Sequence, residues 1–398
     1  MDRVIFHIDV NSAFLSWEAV DRLENGADVD LRLIPSAVGG DIETRHGVIL
    51  AKSVPAKKYK ITTGEPVVNA LRKYPELVLV KPRHEIYREK SKAFMEILRQ
   101  YSDVIEQYSI DEAFVDMTGT RLLFGEPQEA ADRIRNQIRD ELGFTVNVGI
   151  SSNKLLAKMA SDFTKPDKTH TLFPSEIKTK MWPLPVGDLF FAGKSTVSKL
   201  RGMGINTIGE LANTDKSIIE QILKKHGTVL WDFANGIDDS PVETERPDNK
   251  GYGHSTTLSF DVTEPQLAKN ILLKLTDKVC QRLRKDATKA DTVTVQIKYS
   301  DLTKASHQCG LPAATNISSE IYRYVCKLFD EKWDGTPIRL LGVSTKVASE
   351  DSGRQMSLFD NTDYDKLEKL DKAMDHIKDK FGTDAIVRAS SLSLDEED

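Results

Sequence analysis

Three acidic residues in two short stretches have the types and spacing to do chemistry: Asp9, and the adjacent pair Asp111 and Glu112. The pair sits inside Tyr108-Ser109-Ile110-Asp111-Glu112-Ala113-Phe114-Val115-Asp116. Its flanks, 104–108 and 113–117, are β-branched and aromatic with rough period-2 alternation, which predicts two short strands. Strand neighbours point to opposite faces, so two adjacent carboxylates converge most easily where a hairpin turns. An Asp in a turn also bonds its own backbone, which is a purely structural use of the same residue. The second stretch, Val4-Ile5-Phe6-His7-Ile8-Asp9-Val10-Asn11, reads as a buried strand ending on Asp9. A helix pattern opens after it at Asn11-Ser12, with N-cap chemistry. Three carboxylates at two strand ends suit a pair of Mg²⁺ ions, which are hard and take oxygen ligands. Such a pair can activate a hydroxyl and hold a triphosphate for in-line displacement.

The elements that must position these groups alternate. Strand and helix over 3–25, a helix over 84–101, the hairpin, a helix over 126–141 and a strand over 145–150 predict a βαββαβ unit. That is one sheet with helices on one side, its strand ends gathering Asp9, Asp111 and Glu112. Phe14, Leu15, Trp17, Val20 and Leu23 are spaced as a packing face of the first helix. After the strand comes a helix that Ser151 or Ser152 can cap, with Lys154 and Lys158 sharing a face. In isolation it reads as an exposed helix.

Residues 31–77 form a small mixed segment with Gly39-Gly40 and prolines at 35, 55, 66 and 75. Residues 166–240 carry short helices. Gly193-Lys194-Ser195 is not a phosphate-binding P-loop, because Gly187 stands one position too early and no strand precedes it. Lys199-Leu200-Arg201-Gly202-Met203-Gly204-Ile205 resembles a helix-hairpin-helix turn, whose glycines let backbone N–H groups approach a phosphate. Residues 241–250 are polar and aperiodic, as a tether is. A second βαββαβ unit follows: strand 252–260, helix 264–285, strands 291–300 and 305–311, helix 317–332, strand 338–347. Lys274, Lys278, Arg282, Arg284 and Lys285 on its first helix are candidate basic surface. Leu367, Leu370, Met374, Ile377 and Phe381 recur at helical spacing, in a helix for a partner or one that folds back on the body.

The 398 residues, 39% hydrophobic and 29% charged, suit several folded domains. A net charge of −6 looks wrong for a nucleic-acid binder. Residues 351–398 hold 7 Lys+Arg against 13 Asp+Glu, so the tail carries the whole excess and the body is neutral. Composition therefore gives no argument for DNA; motifs must. Cys280, Cys309 and Cys326 are too few and too scattered for a metal knuckle or a disulfide framework. There is no 18-residue apolar run, and the N-terminus enters a strand directly. A cytoplasmic protein without a membrane span is expected.

His7-Ile8-Asp9-Val10-Asn11-Ser12-Ala13-Phe14 and Tyr108-Ser109-Ile110-Asp111-Glu112-Ala113-Phe114 closely resemble the Y-family (translesion) DNA polymerases, in their bacterial branch. The resemblance spans roughly residues 1–350. It implies an α+β, multidomain right-hand polymerase with a ferredoxin-like palm (1–30 and 78–165) and small fingers (31–77). A helical thumb (166–240), a linker (241–250), a little finger (251–348) and an acidic tail (349–398) would follow. The implied activity is low-fidelity, template-directed DNA synthesis during damage bypass, with primer–template DNA and dNTPs as partners and a monomer expected. Two Mg²⁺ ions, with Mn²⁺ able to substitute, would be held by Asp9, Asp111, Glu112 and the Val10 carbonyl. Phe14 would be the sugar gate that rejects a 2′-hydroxyl; the position before it, often a second aromatic in the family, is Ala13.

The family's Tyr-x-Ala-Arg, whose Tyr and Arg hold the triphosphate, reads here Val54-Pro55-Ala56-Lys57. Lys57 keeps the charge without the bidentate fork, Val54 has no hydroxyl, and Tyr59 would have to substitute. Lys165 matches the family lysine on the triphosphate. Gly202 and Gly204, with Ser255 and Thr256 in Gly253-His254-Ser255-Thr256-Thr257, would meet the DNA backbone. Gln355-Met356-Ser357-Leu358-Phe359 resembles a sliding-clamp peptide, with Gln355 as polar fix and Leu358 and Phe359 as anchors. Two other readings of the same residues are a nucleotide cyclase and a non-catalytic DNA-binding accessory that kept the fold.

Overall fold

β1 (Ile5–Val10) is buried at every position, so the strand is covered on both faces. The computed structural model describes residues 3–40, 47–245, 247–349, 363–382 and 385–387. The chain divides near residue 246 into two compact units.

In the first unit, β1 leads through a tight turn into α1 (Ala13–Glu24). β2 (Ser36–Gly39), β3 (Ile49–Lys52), α2 (Val54–Lys57), α3 (Val67–Lys73) and β4 (Val78–Val80) make a small three-stranded sheet with its own helices, in the order β3-β2-β4. α4 (His84–Leu98), the hairpin β5 (Ile105–Gln107)–β6 (Glu112–Asp116), α5 (Arg121–Phe124), α6 (Pro127–Leu142), β7 (Val146–Ser151), α7 (Lys154–Ser161) and β8 (Thr169–Thr171) follow. The main sheet runs β5-β6-β1-β7-β8. Its first four strands are antiparallel and have the ferredoxin-like strand order, and β8 extends the edge parallel to β7.

Alternation along β1 explains the double burial. Phe6, Ile8 and Val10 face α1, α4 and α6, packing with Trp17, Tyr87, Phe94, Ile134 and Ile138. Each such side chain contributes about 1.5–3 kcal/mol when fully buried. α6 is delimited locally: Pro127 at its start, a Glu126/Glu129 capping box, and Gly143 in the left-handed region (φ 73°) at its end. Ile5, His7 and Asp9 face the other way, where Ile5 packs with Phe114 and Ala157. That second face is covered by α7. Helices on one side only are thus corrected to helices on both. Gly149 permits this: a Cβ there would overlap the Ala157 carbonyl oxygen and the Ser161 nitrogen. On its far side α7 presents Leu155, Leu156 and Met159 to the core of α8 (Lys194–Gly202), α9 (Ile208–Asn213), α10 (Lys216–Leu223) and α11 (Lys225–Ala234).

The second unit holds β9 (Gly251–Val262), α12 (Pro265–Lys285), β10 (Ala290–Tyr299), β11 (Lys304–Thr315), α13 (Ser318–Lys332), β12 (Ile338–Val347) and α14 (Tyr364–Phe381). The βαββαβ element order is as the sequence predicts, but the strands run β11-β10-β12-β9, with β9 on an edge. One sheet face packs Val293, Val295, Ile297 and Val343 on α12 and α13. α14 folds back on this unit. Asp371 accepts from the Ser318 backbone N–H (2.7 Å) and from Arg284 (3.1 Å), and Asp375 takes the other edge of the same guanidinium at 2.6 and 3.0 Å. Among the described residues no helix is long and apolar enough to cross a membrane.

Candidate active site

Asp9 and Glu112 are direct cross-strand partners in the antiparallel register of β1 and β6. They therefore project from the same face of the sheet. Asp111 precedes β6 by one residue, and its carbonyl accepts from the Val10 N–H at 3.0 Å, which fastens the hairpin to the end of β1. Ser109 orients it, donating its hydroxyl to Asp111 Oδ1 at 2.6 Å. Beyond Asp9 the chain turns through Ser12, a non-glycine residue in the left-handed region (φ 49°, ψ 49°). That conformation costs about 1–2 kcal/mol. It is held because the Asn11 N–H bonds the Thr145 carbonyl (3.0 Å) and the Asn11 carbonyl accepts from Ser16 Oγ (2.6 Å). The expected side-chain cap of α1 does not form, because Ser12 sits in the turn and makes no side-chain cap hydrogen bond.

Two ammonium groups stand against the carboxylates. Lys158 Nζ lies 2.8 Å from Glu112 Oε1 and 3.8 Å from Asp9 Oδ2. Lys165 Nζ lies 2.5 Å from Asp9 Oδ2 and 2.9 Å from Asp162. Below them His7 is fully buried, its Nδ1 bonded to Ser161 Oγ at 2.8 Å and its Nε2 3.8 Å from Glu112. Burial pushes the His7 pKa down, so the ring is neutral at pH 7. For Glu112, burial pushes the carboxyl up, but the neighbouring His7 ring and the Lys158 ammonium outweigh it and hold it at about 2. At 3.8 Å the His7 contact is beyond hydrogen-bond length, so Lys158 is the stronger partner. Asp9 goes the other way: burial raises it above the usual carboxylate range despite both lysines. Burial pulls Lys158 and Lys165 down, and the surrounding carboxylates more than restore both.

Asp9, Val10, Asp111 and Lys165 line a pocket of about 350 Å³, together with Lys52, Lys57 and Thr63 from the segment of the small sheet. Phe14 forms part of its floor, its ring stacked on Tyr87 at 4.4 Å and 14°. Tyr87 is itself fixed by a hydrogen bond to the wholly buried Glu18 (2.8 Å), which also pairs with Arg83. The oxygen-only donor set at the strand ends fits a hard divalent cation. The ammonium groups already drawn to these carboxylates show that the cluster attracts positive charge. Among the described residues no three His, Cys, Asp or Glu side chains form a ready cage.

Two family models match the chain: the impB/mucB/samB family over residues 8–162 and the C-terminal domain of the same family over residues 249–358. DNA polymerase IV of Clostridium acetobutylicum is 48% identical over the full length of both chains. DNA polymerase IV 2 of Bacillus subtilis is 40% identical, covering 98% of this chain and 95% of its own. Among solved structures, the Y-family DNA polymerase chimera Dbh-Dpo4(243-245)-Dbh superposes with a TM-score of 0.73 at 22% identity, over 86% of this chain and 98% of its own, a likeness of fold. The chain belongs to the Y-family of DNA polymerases. It is a DNA-directed DNA polymerase of the translesion class, an enzyme that binds DNA and dNTPs and uses divalent metal ions.

Within this Y-family polymerase the remaining sequence-derived candidates are placed as follows. Tyr59 stacks on Tyr74 (4.0 Å) and does not line the pocket, and neither does Val54. Gly204 has φ +82° and, like Gly202, nothing within 4 Å of a would-be Cβ, so a DNA backbone has room to approach closely. Yet every backbone N–H from Met203 to Glu210 already has an acceptor inside the protein, so these groups offer room more than free donors. Ser255 and Thr256 lie on the edge strand β9, Ser255 exposed and beside Gln296 and Lys298. Arg284 is not available as basic surface, since Asp371 and Asp375 engage it. Gln355, Leu358 and Phe359 lie outside the described residues.

Sequence reasoning missed the roles of Lys158 and His7. α7 is buried from Leu155 to Ser161 rather than exposed, and Asn153, not Ser151 or Ser152, caps it by accepting from the Leu156 N–H at 2.8 Å. No apolar run signalled the cover, because His7 and Asp9 interrupt β1 on the face that α7 buries.

Proposed function

We propose that Asp9, Asp111 and Glu112, with the Val10 carbonyl, hold two Mg²⁺ ions, Mn²⁺ substituting, during nucleotidyl transfer from dNTP to a primer 3′-hydroxyl. The observation that carries this reading is the in-register Asp9–Glu112 pair, with Asp9 and Asp111 lining a pocket that Lys52, Lys57 and Lys165 also line. When bound, the ions supply the charge that makes the 3′-oxygen nucleophilic and steadies the leaving pyrophosphate. Ser109 aims Asp111, and Lys158 with its neighbour His7 keeps Glu112 ionised and fixed. Lys165 exchanges its contact with Asp9 for the triphosphate, and Lys57 also meets the phosphates. Phe14, immobilised by Tyr87, excludes a 2′-hydroxyl.

In this reading residues 1–30 and 78–165 are the palm, 31–77 the fingers and 166–240 the thumb. Residues 241–250 are a linker, 251–348 the little finger and 349–398 an acidic tail. Gly202, Gly204, Ser255 and Thr256 meet the DNA backbone. The enzyme works as a cytoplasmic monomer, tethered to the sliding clamp through Gln355, Leu358 and Phe359, which compensates a small grip on DNA by raising effective concentration. A Leu358→Ala/Phe359→Ala variant with full clamp affinity would remove that part.

The test is primer extension with Mg²⁺ and four dNTPs on undamaged and abasic templates, wild type beside Asp111→Ala. Extension past the lesion by the wild type alone is expected. Equal extension by Asp111→Ala would overturn the carboxylate assignment.

A further inference from the structure

We propose that Lys52 is a triphosphate-binding residue, the second cation of the pocket wall that, with Lys57, receives the phosphate tail of the incoming nucleotide. This deepens the nucleotidyl-transfer reading above and rests on it.

Lys52 is the last residue of β3 and pairs in register with Ala37 of β2, so its backbone is fixed by the sheet. Its side chain lines the same pocket as Asp9, Asp111, Lys57 and Lys165. The lysines nearby in sequence, Lys57, Lys58 and Lys60, are exposed, whereas Lys52 is half-buried. Among the described residues neither the Lys52 nor the Lys57 ammonium has a hydrogen-bond or ion-pair partner. The carboxylate whose field reaches Lys52 is that of Glu65, and it is already bonded to Lys73 and to the Thr62 N–H, each at 2.6 Å. Glu65 is thus committed to Lys73, and among the described residues no other carboxylate is bonded to Lys52 or Lys57. Burial, and then the like charge of Lys57, push the Lys52 pKa down. A half-buried cation beside another cation is an unfavourable arrangement that a polyanion would relieve.

The pocket shape says which polyanion. The same pocket is lined by the carboxylates Asp9 and Asp111, where a metal-bound phosphate would sit, by Phe14, which would meet the sugar, and by Lys52 and Lys57, which would meet the rest of the phosphate tail. Val54 has no side-chain donor and Tyr59 stacks on Tyr74 outside the pocket, so neither supplies the hydroxyl of the family's tyrosine, and Lys57 alone keeps a cation at the gripping positions. A cation on a strand is a better-held substitute than one on a loop.

The experiment is single-nucleotide primer extension by the full-length enzyme with Mg²⁺, comparing wild type, Lys52→Gln, Lys52→Arg, Lys57→Gln and Asp111→Ala, with primer–template affinity measured alongside. For Lys52→Gln the dNTP KM is expected to rise about tenfold, the loss of one charge-assisted hydrogen bond, with kcat changed by less than about threefold. DNA affinity should be unchanged, inhibition by inorganic pyrophosphate should weaken in parallel, and Lys52→Arg should stay close to wild type. An unchanged KM in Lys52→Gln, a fall in DNA affinity instead, or an equal loss in Lys52→Arg would overturn the proposal. The Asp111→Ala control keeps the two readings apart: if it is inactive while Lys52→Gln behaves as wild type, only Lys52 is wrong. Extension by Asp111→Ala would sink the nucleotidyl-transfer reading itself.

Discussion

Asp9 and Glu112 stand opposite each other across β1 and β6, and Lys158 reaches both, at 3.8 and 2.8 Å. Two carboxylates held this close, on strands that cannot slip without moving every core side chain to the wrong face, are a fixed electrostatic device. Replacing Asp111 or Glu112 by Ala is expected to lower the primer-extension rate by at least about a thousandfold, or ~4 kcal/mol of transition-state stabilisation. Circular dichroism should be unchanged, because both side chains are at the rim and not in the core.

Lys158→Met tests the other half of that device. Without its ammonium, the buried Asp9 is left beside the half-buried Glu112 with Lys165 as the remaining neighbouring cation. Removing one partner of a buried ion pair costs about 3–5 kcal/mol, so the thermal midpoint of the metal-free variant should fall clearly. Millimolar Mg²⁺ should recover more stability in the variant than in the wild type, since ligand binding to the folded state stabilises by mass action.

The pH dependence has a definite sign. Glu112 is held at about 2, below its usual 4.5, so its contribution to stability is present above pH 4.5 and lost as pH falls through 2. The stability difference between wild type and Glu112→Gln should therefore be constant from pH 5 to 8 and shrink toward pH 2. A difference that grows on acidification would contradict the assignment.

How far this was legible in the sequence can be argued residue by residue. Asp9, Asp111 and Glu112 were readable because strand alternation and a hairpin are local patterns. The elements of the second unit were readable for the same reason, their periods being unbroken. Lys158 was not, because a lysine on an amphipathic helix looks the same whether it faces water or a buried carboxylate on another strand. The cap of α7 was displaced because β7 runs on through Ser151, whose hydroxyl is taken by the Leu172 carbonyl at 2.5 Å. Glu18 is buried against Arg83 and Tyr87, partners 65 and 69 residues away, and no local spacing signals that. The pairing of Asp371 and Asp375 with Arg284, which decides that α14 folds back, is likewise long-range.

Phe14 is held by stacking on Tyr87 and not by the depth of its own burial. Phe14→Ala should raise ribonucleotide incorporation by at least about tenfold, the discrimination one steric contact supports, while dNTP insertion continues. Tyr87→Leu should produce a smaller change in the same direction, since it loosens the gate without removing it. Competition between dCTP and CTP opposite template G measures both.

Arg284 joins α12, the start of α13 and α14 through Asp371, Asp375 and the Asn316 carbonyl. Its side chain is 7% exposed and that of Asp371 6%, so this pair is shielded from solvent screening in a way that surface ion pairs are not. Arg284→Met leaves two carboxylates of α14 without their cation, at a cost of about 3–5 kcal/mol, most of it borne by the docking of α14. Amide exchange along 364–381 should then accelerate toward that of an isolated helix, which is marginal at this length. Exchange in β10 and β12 should change little, because the sheet core of Val293, Val295 and Val343 does not depend on the guanidinium. If α14 kept its protection in Arg284→Met, the ion-pair account of its docking would fail.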